Sequence, residues 1–378
     1  MDFKRRFYKI IKWLIITLAI ALAALFFLVL TRPGTLYDRV PGNGFGVEAP
    51  DTPKRLIELR VGLQRHVDKL ASEIKQRSYL APAGLDKAAK YITDELSGIA
   101  RSQRSALKPW PYKVVELPSK YAYRCAKPKC TQEVKTDDDI RKKLASLEFK
   151  NIELEILGTK QPNEVIIIGA HYDSDGCESA GCNLGADDNA TGVAALLELA
   201  RIFQRQPVAK TIRFVAFTNE EEPFFQTELM GSYVYARQSR RAKDKIVAML
   251  SLETMGYFSS EPDSQRPWWI RLLGVSTAGN YITFVGDWDS TALMRKATIS
   301  FRGIPSEGFA SYRWFPGLNW SDHWSYWQIG VPAIMVTDTA LARNLCYHKN
   351  CDIPQRLDYD RLSRVVLGLA EVIKELGN

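Results

Sequence analysis

The sequence predicts an α/β fold: a mixed, mostly parallel central sheet with helices on both faces, preceded by one transmembrane helix. Three observations carry this. From Ile152 onward, short apolar runs alternate with stretches of helical period. One run, Val165-Ile166-Ile167-Ile168-Gly169-Ala170, is apolar throughout, as a strand buried on both faces requires. Near the start, Trp13 to Leu30 holds no charged residue.

That first apolar run is eighteen residues long; at about 1.5 Å each it reaches about 27 Å, close to the hydrocarbon thickness of a bilayer. Lys4, Arg5, Arg6, Lys9 and Lys12 precede it, and Arg32-Pro33-Gly34 ends it. By the positive-inside rule, residues 1–12 are a cytoplasmic basic segment, 13–31 a signal anchor, and the rest periplasmic or extracellular. A cleaved signal peptide shares the basic start. This run is longer than the usual signal core, and no small-x-small site follows Leu30. Residues 32–54, rich in Pro, Gly and Asp, read as a linker, and 55–378 as one extracytoplasmic domain.

Within that domain Leu56, Leu59, Leu63, Val67 and Leu70, then Ala88, Ala89, Ile92 and Leu96, recur at helical spacing. They predict two helices between Pro53 and Ile99, broken near Pro82-Ala83-Gly84. His66 reads as helix surface. After the apolar strand, Ala190 to Phe203 reads as a helix, Ile212 to Phe217 as a strand and Met230 to Ala242 as a helix. Ile246 to Leu252, Tyr281 to Val285 and Pro332 to Thr337 read as strands, and Tyr359 to Leu376 as a closing amphipathic helix. This alternation is that of an α/β sheet.

The net charge is +8, with much of the excess in the first twelve residues. No basic stripe with a reading helix or ribbon is present, so a nucleic-acid partner is not expected. Six cysteines fall as Cys125/Cys130, Cys177/Cys182 and Cys346/Cys351. Even number and repeated spacing predict three local disulfides in an oxidising compartment. A structural zinc site, the other reading, usually asks for closer spacing.

In open α/β folds ligand sites form beyond the carboxyl ends of the strands. Here those ends carry His171-Tyr172-Asp173, Asn219-Glu220-Glu221-Glu222 and Leu252-Glu253-Thr254. Gly185-Ala186-Asp187-Asp188-Asn189-Ala190-Thr191-Gly192 lies between the first strand and its helix, and Tyr347-His348 comes near the end. A lone histidine or a run of glutamates is ordinary. Together they matter, because a carboxylate just past an apolar strand is costly to bury without a cation. Nitrogen and carboxylate donors suit zinc, and two bridged ions can activate water and polarise a carbonyl together.

On these residues the chain resembles the co-catalytic dizinc aminopeptidase family, which includes secreted leucyl aminopeptidases and glutamate carboxypeptidase-like ectoenzymes. The resemblance runs from about Asn151 to Asp360. It rests on His-x-Asp, Gly-x-x-Asp-Asn-x-x-Gly, Asn-Glu-Glu, Leu-Glu-x-x-Gly, Ser-Asp-His and Tyr-His, in the family's order. It implies a zinc exopeptidase fold acting on peptide substrates with two zinc ions. His171 and Glu253 would hold one ion, Glu221 and His348 the other, and Asp188 would bridge them. Family members often have Asp where this chain has Glu253. Asp173 would fix the imidazole of His171. Glu220 would be the general base, and Tyr347 would hydrogen-bond the developing oxyanion or simply pack beside a ligand.

Two registers stay open: Asp187 or Asp188 as the bridge, and which two of Glu220, Glu221 and Glu222 are base and ligand. The motif matches favour Asp188, Glu220 and Glu221. His323, in Ser321-Asp322-His323, is expected to line or support the pocket rather than bind metal. Trp268, Trp269, Tyr281, Tyr312, Trp314, Trp320, Trp324 and Trp327 serve either an aromatic substrate pocket or core packing. The expected activity is a metallo-aminopeptidase. The alternatives are a glutaminyl cyclase-like enzyme with one zinc and a metal-free binding module; the full set of five ligands favours hydrolysis.

Overall fold

A computed structural model describes residues 37–42, 52–100, 104–113, 144–176, 183–241, 245–267, 270–271 and 274–378. The basic segment, the anchor and most of the linker lie outside the described residues, as do Cys125, Cys130, Cys177, Cys182, Trp268 and Trp269. Among the described residues no helix is long and apolar enough to cross a membrane.

Nine strands form one sheet: β1 (Tyr37–Pro41), β2 (Ser105–Lys113), β3 (Glu148–Ile156), β4 (Gln161–His171), β5 (Lys210–Phe217), β6 (Lys245–Glu253), β7 (Ile282–Asp287), β8 (Ser306–Ser311) and β9 (Ala333–Thr337). Their order is β1-β8-β7-β9-β6-β4-β5-β3-β2. Strands β9, β6, β4 and β5 run parallel through the centre, and β7 is parallel to β8. The junctions β1–β8, β7–β9, β3–β5 and β2–β3 are antiparallel. The sheet is therefore evenly mixed, where the sequence predicted a mostly parallel one. The antiparallel additions include both edges, where charge alternates with apolar residues and no continuous apolar run announces a strand.

Among the described residues seven α-helices flank it: α1 (Thr52–Val67), α2 (Pro82–Ile99), α3 (Gly192–Arg205), α4 (Gly231–Arg241), α5 (Thr291–Ser300), α6 (His323–Trp327) and α7 (Tyr359–Gly377). Alternation along β4 explains the two layers. Ile166, Ile168 and Ala170 enter one apolar core with α1, α2, α3, α5 and α7, while Val165 and Ile167 enter a second with Tyr235 and Ala236 of α4 and Tyr326 and Trp327 of α6. Helix α3 is buried from Gly192 to Ala200, because α1, α2 and α7 cover the side turned away from the sheet.

A wider π-helical segment, Asp68–Ile74, continues α1, so the break before α2 spans 75–81, and Pro82 occupies the first turn of α2, where its missing N–H costs nothing. His66 is not on the surface. It is fully buried where α1 meets α2 and α3, with the Tyr91 hydroxyl 2.7 Å from Nδ1 and a Glu198 carboxylate oxygen 3.1 Å from Nε2. Buried polar groups from the two neighbouring helices give that imidazole a place among apolar residues.

Candidate metal centre

Three adjacent parallel strands, β5, β4 and β6, end side by side, and their ends carry the acidic and imidazole groups. His171 is the last residue of β4, Glu253 the last of β6, and Glu220 and Glu221 follow β5. Asp188 arrives from the turn before α3. Two donor groups result. Nε2 of His171 lies 3.4 Å from Oδ1 of Asp188 and 3.2 Å from Oε2 of Glu253. Nε2 of His348 lies 3.0 Å from the other Asp188 oxygen, Oδ2, and 3.4 Å from Oε2 of Glu221. Asp188 thus presents one oxygen to each histidine.

These contacts are short, yet Nε2 of His171, Oδ2 of Asp188 and Oε1 of Glu221 are buried without an aligned hydrogen bond. Donors about 2.0–2.2 Å from a tetrahedral ion stand about 3.3–3.6 Å from one another. The observed separations run from 3.0 to 3.4 Å, two inside that range and two just below it. The residues therefore fit a pair of metal ions sharing Asp188.

The electrostatics agree. Burial raises Glu220 well above the usual carboxylate range, and the charges of Glu253 and Glu221 add to the shift while His171 opposes it. Burial likewise lifts Glu221, helped by Asp188 and Asp175. Glu253 is raised by burial too. For Asp188 burial pulls the same way, but the imidazoles of His171 and His348 beside its two oxygens prevail and hold it below its ordinary value. His171 is raised: burial works against its charge, and Glu253 and Glu220 overcome that. So much buried negative charge is relieved by cations placed among the oxygens.

Local sequence explains the loop geometry. Gly185 has φ 59°, and a Cβ there would stand 2.3 Å from the Asp188 carbonyl oxygen. Asn189 donates to the Leu252 carbonyl at 2.9 Å and accepts from the Gly192 N–H at 3.1 Å. A Cβ on Gly192 would come within 2.5 Å of that same Leu252 oxygen. The Asp-Asn-x-x-Gly motif is thus a staple from the bridging turn to β6. Asp187 faces away from Asp188, accepting from the Gly256 N–H at 2.9 Å and from Asn344 at 3.1 Å. Glu222 is exposed.

Asp173 supports two strand ends. Its carboxylate accepts from the backbone N–H of Glu220 at 3.2 Å and of Glu221 at 3.0 Å. Its carbonyl oxygen lies 3.2 Å from Nδ1 of His171, whereas its carboxylate stands at 3.6 Å. The imidazole therefore leans on the Asp173 backbone more than on the expected carboxylate. Ser321, from the Ser-Asp-His motif, donates to Glu253 at 2.7 Å. His323 is buried, 2.8 Å from the Leu318 carbonyl, and burial pushes its pKa down to about 4.

His348 sits inside the loop closed by the Cys346–Cys351 disulfide, with φ 55° and about a third of its side chain exposed. Tyr347 stacks on it, ring centroids 3.9 Å apart, and burial raises the phenol well above its ordinary pKa. Tyr347 and Glu253 border an apolar cavity of about 330 Å³ lined by Val285, Phe309, Phe315, Leu318, Trp320 and Met335. Of the other aromatics, Tyr281 lies under Arg343, Trp327 is core, Trp324 packs near Tyr233, and Tyr312 and Trp314 stack together at the surface.

Three supporting residues were not foreseen. Asp175 shares a donor group with Glu221 and His348, their ligand atoms within 4.8 Å of one another. Asp352 accepts the backbone N–H groups of Asp187 at 3.0 Å and Asp188 at 3.1 Å. Arg77, fully buried, donates to the carbonyls of Leu70, Lys75, Tyr172, Leu184 and Gly185 at 2.8–3.0 Å. Only Asp175 left a trace in the sequence, as the second acid of His-x-Asp-x-Asp.

The chain is similar to YfbL of Escherichia coli (strain K12), 37% identical over 232 residues, covering 60% of this chain and 70% of the relative. It is 28% identical to leucine aminopeptidase 1 of Aspergillus niger over 56% of this chain, and spans about half (52%) of that relative's length. Among solved structures it shares its fold with LapB of Legionella pneumophila (TM-score 0.59, 20% identity, 88% of this chain and 76% of that one). The zinc aminopeptidase BSAP of Bacillus subtilis gives a TM-score of 0.57 at 14% identity, covering 84% and 95%. A glutaminyl cyclase of Porphyromonas gingivalis gives 0.55 at 16%, covering 85% and 98%. The model of peptidase family M28 matches residues 151–373, which hold every residue of the two donor groups, and the chain belongs to that family.

Proposed function

We propose that the protein is a dizinc aminopeptidase that removes apolar N-terminal residues from peptides. The observation that carries this reading is the pair of donor groups joined by Asp188, with Glu220 beside them. His171 and Glu253 would hold one zinc, Glu221 and His348 the second, and Asp188 both. When bound, the ions supply electrophilic activation of the peptide carbonyl and of the attacking water.

The chain's own residues do the rest. Glu220 has a carboxylate oxygen 3.9 Å from Nε2 of His171 and is almost fully buried. It takes the proton from the attacking water and hands it to the leaving amine. With cations held by the neighbouring ligands, the Glu220 carboxyl would lose much of its upward shift and so be able to start ionised. The Tyr347 phenol, kept protonated, donates to the developing oxyanion. The apolar cavity beside Glu253 and Tyr347 receives the substrate side chain. Two donor groups around one carboxylate favour this over a single-zinc cyclase, although the fold serves both chemistries.

The placement outside the cytoplasm, held by the apolar run from Trp13 to Leu30, is part of the same proposal, supported by charge distribution and the Cys346–Cys351 bridge.

Glu220→Gln tests the mechanism. It should lower kcat on leucyl or phenylalanyl reporter substrates by about 10²–10⁴-fold while two zinc ions stay bound. Full activity in that variant removes Glu220 from the reaction.

A further inference from the structure

Nothing in the family pattern assigns a role to Asp175. The segment after β4 runs on without regular structure through Tyr172, Asp173 and Ser174 to Asp175. Its acids take on different parts of the site. Asp173 holds the backbone that carries Glu220 and Glu221. Asp175, two residues on, crosses to the other donor group, where its Oδ2 stands 3.7 Å from Nδ1 of His348. The other ring nitrogen of that histidine, Nε2, faces Asp188 and Glu221 at 3.0 and 3.4 Å.

A histidine can offer a lone pair to a metal on one nitrogen while its other nitrogen carries the proton. A carboxylate behind the protonated nitrogen fixes that tautomer, orients the ring and raises its basicity. His348 needs such help more than His171 does: its side chain is about a third exposed, whereas that of His171 is 1% exposed. Asp175 is itself only 12% exposed, so its charge is poorly screened by solvent.

We propose that Asp175 is a positioning residue for the second zinc: its carboxylate, 3.7 Å behind Nδ1 of His348, electrostatically favours the tautomer that carries the proton on Nδ1, so that Nε2 is presented to the ion held by Glu221 and Asp188. The proposal rests on the dizinc reading above. It also makes the stretch from His171 to Asp175 a single strap between the half-sites: one end binds the first ion, and the other orients a ligand of the second.

The test is zinc titration of the full chain against a chelating competitor, resolving the two binding steps, for wild type, Asp175→Asn, Asp175→Ala, His348→Ala and Asp175→Ala/His348→Ala. The expected result is a second-zinc Kd weakened about 10–100-fold in Asp175→Ala, less in Asp175→Asn, with the first Kd unchanged. In the His348→Ala background, Asp175→Ala should add no further loss, because its effect passes through the imidazole. Urea unfolding of the zinc-free forms controls for folding, and Asp175→Asn, which keeps size and an acceptor oxygen, stands in if the alanine variant does not fold. Wild-type affinity for both ions in Asp175→Ala overturns the proposal. So does a loss that persists without His348, which would make Asp175 a ligand in its own right. A wild-type chain that binds fewer than two zinc ions overturns the dizinc reading and this inference together.

Discussion

Replacing Arg77 with lysine isolates the worth of a buried guanidinium. The arginine is fully buried and reaches five backbone carbonyls, those of Leu70, Lys75, Tyr172, Leu184 and Gly185. Among the described residues no carboxylate hydrogen-bonds it, and burial pushes its pKa down to about 10. Lysine keeps the charge but offers three donors, so at least two of the five hydrogen bonds are lost. The Leu70 and Gly185 carbonyls keep backbone partners, the Lys75 N–H at 2.9 Å and the Ala190 N–H at 3.1 Å, so the cost is that of the lost bonds to a charged donor, about 1.5–3 kcal/mol each, or about 3–6 kcal/mol for two. That is a large part of a domain's net stability of about 5–15 kcal/mol. Urea unfolding at fixed free zinc, with stability taken from midpoint and slope, measures it. Because Leu184 and Gly185 lead into the Asp188 turn, zinc affinity should fall as well. A lysine variant within about 1 kcal/mol of wild type would show that the carbonyls find other donors and would refute the donor count.

Changing Cys346 and Cys351 to serine opens the loop around His348; loop-closure entropy puts the cost at about 2 kcal/mol, and zinc titration should show weaker binding of the second ion. His323 is neutral in the fold because burial holds its pKa near 4, against about 6.5 when unfolded. Its contribution is present above pH 6.5 and is lost as pH falls through 4, by at most about 3 kcal/mol, so the difference in unfolding free energy between wild type and His323→Gln should shrink over that window. A flat difference would sink that assignment. Filling the apolar cavity with Val285→Phe should lower kcat/KM for phenylalanyl substrates about 10–100-fold relative to alanyl ones, read with a panel of aminoacyl reporters.

The sequence made the centre of the fold legible and left its margins obscure. β4 announces itself because from Val165 to Ala170 both its faces are buried and every residue is apolar or glycine. β2 does not: it carries Pro109 and Pro111 at the sheet edge, where a missing N–H is tolerated and no apolar run is needed. β1 pairs with β8 far along the chain, a partner no local pattern names. The same divide holds in the site. His171, Glu221 and Glu253 could be singled out because imidazole and carboxylate groups stand at or just past the ends of apolar strands, and Asp188 and His348 because their motifs follow in the expected order. Arg77 could not, since all its partners are backbone carbonyls and carry no residue identity. His66 misled for a related reason: its burial depends on Glu198 and Tyr91, which come from two other helices. Within the acidic runs the coordinates separate Asp187, which accepts from Gly256 and Asn344, from Asp188, and the exposed Glu222 from the buried Glu220 and Glu221.

The donor groups take their members from residue 171 to residue 348. During synthesis the ribosome releases His171 and Asp188 long before His348 exists. The second half-site cannot close until His348 has emerged, β6 has joined β4, and the loop after β9 has folded back over the Asp188 turn. A chain stalled before that point would hold at most part of the centre. The order of synthesis therefore delays the second half-site relative to the first, and a nascent fragment lacking His348 could not yet cut a peptide by the proposed route.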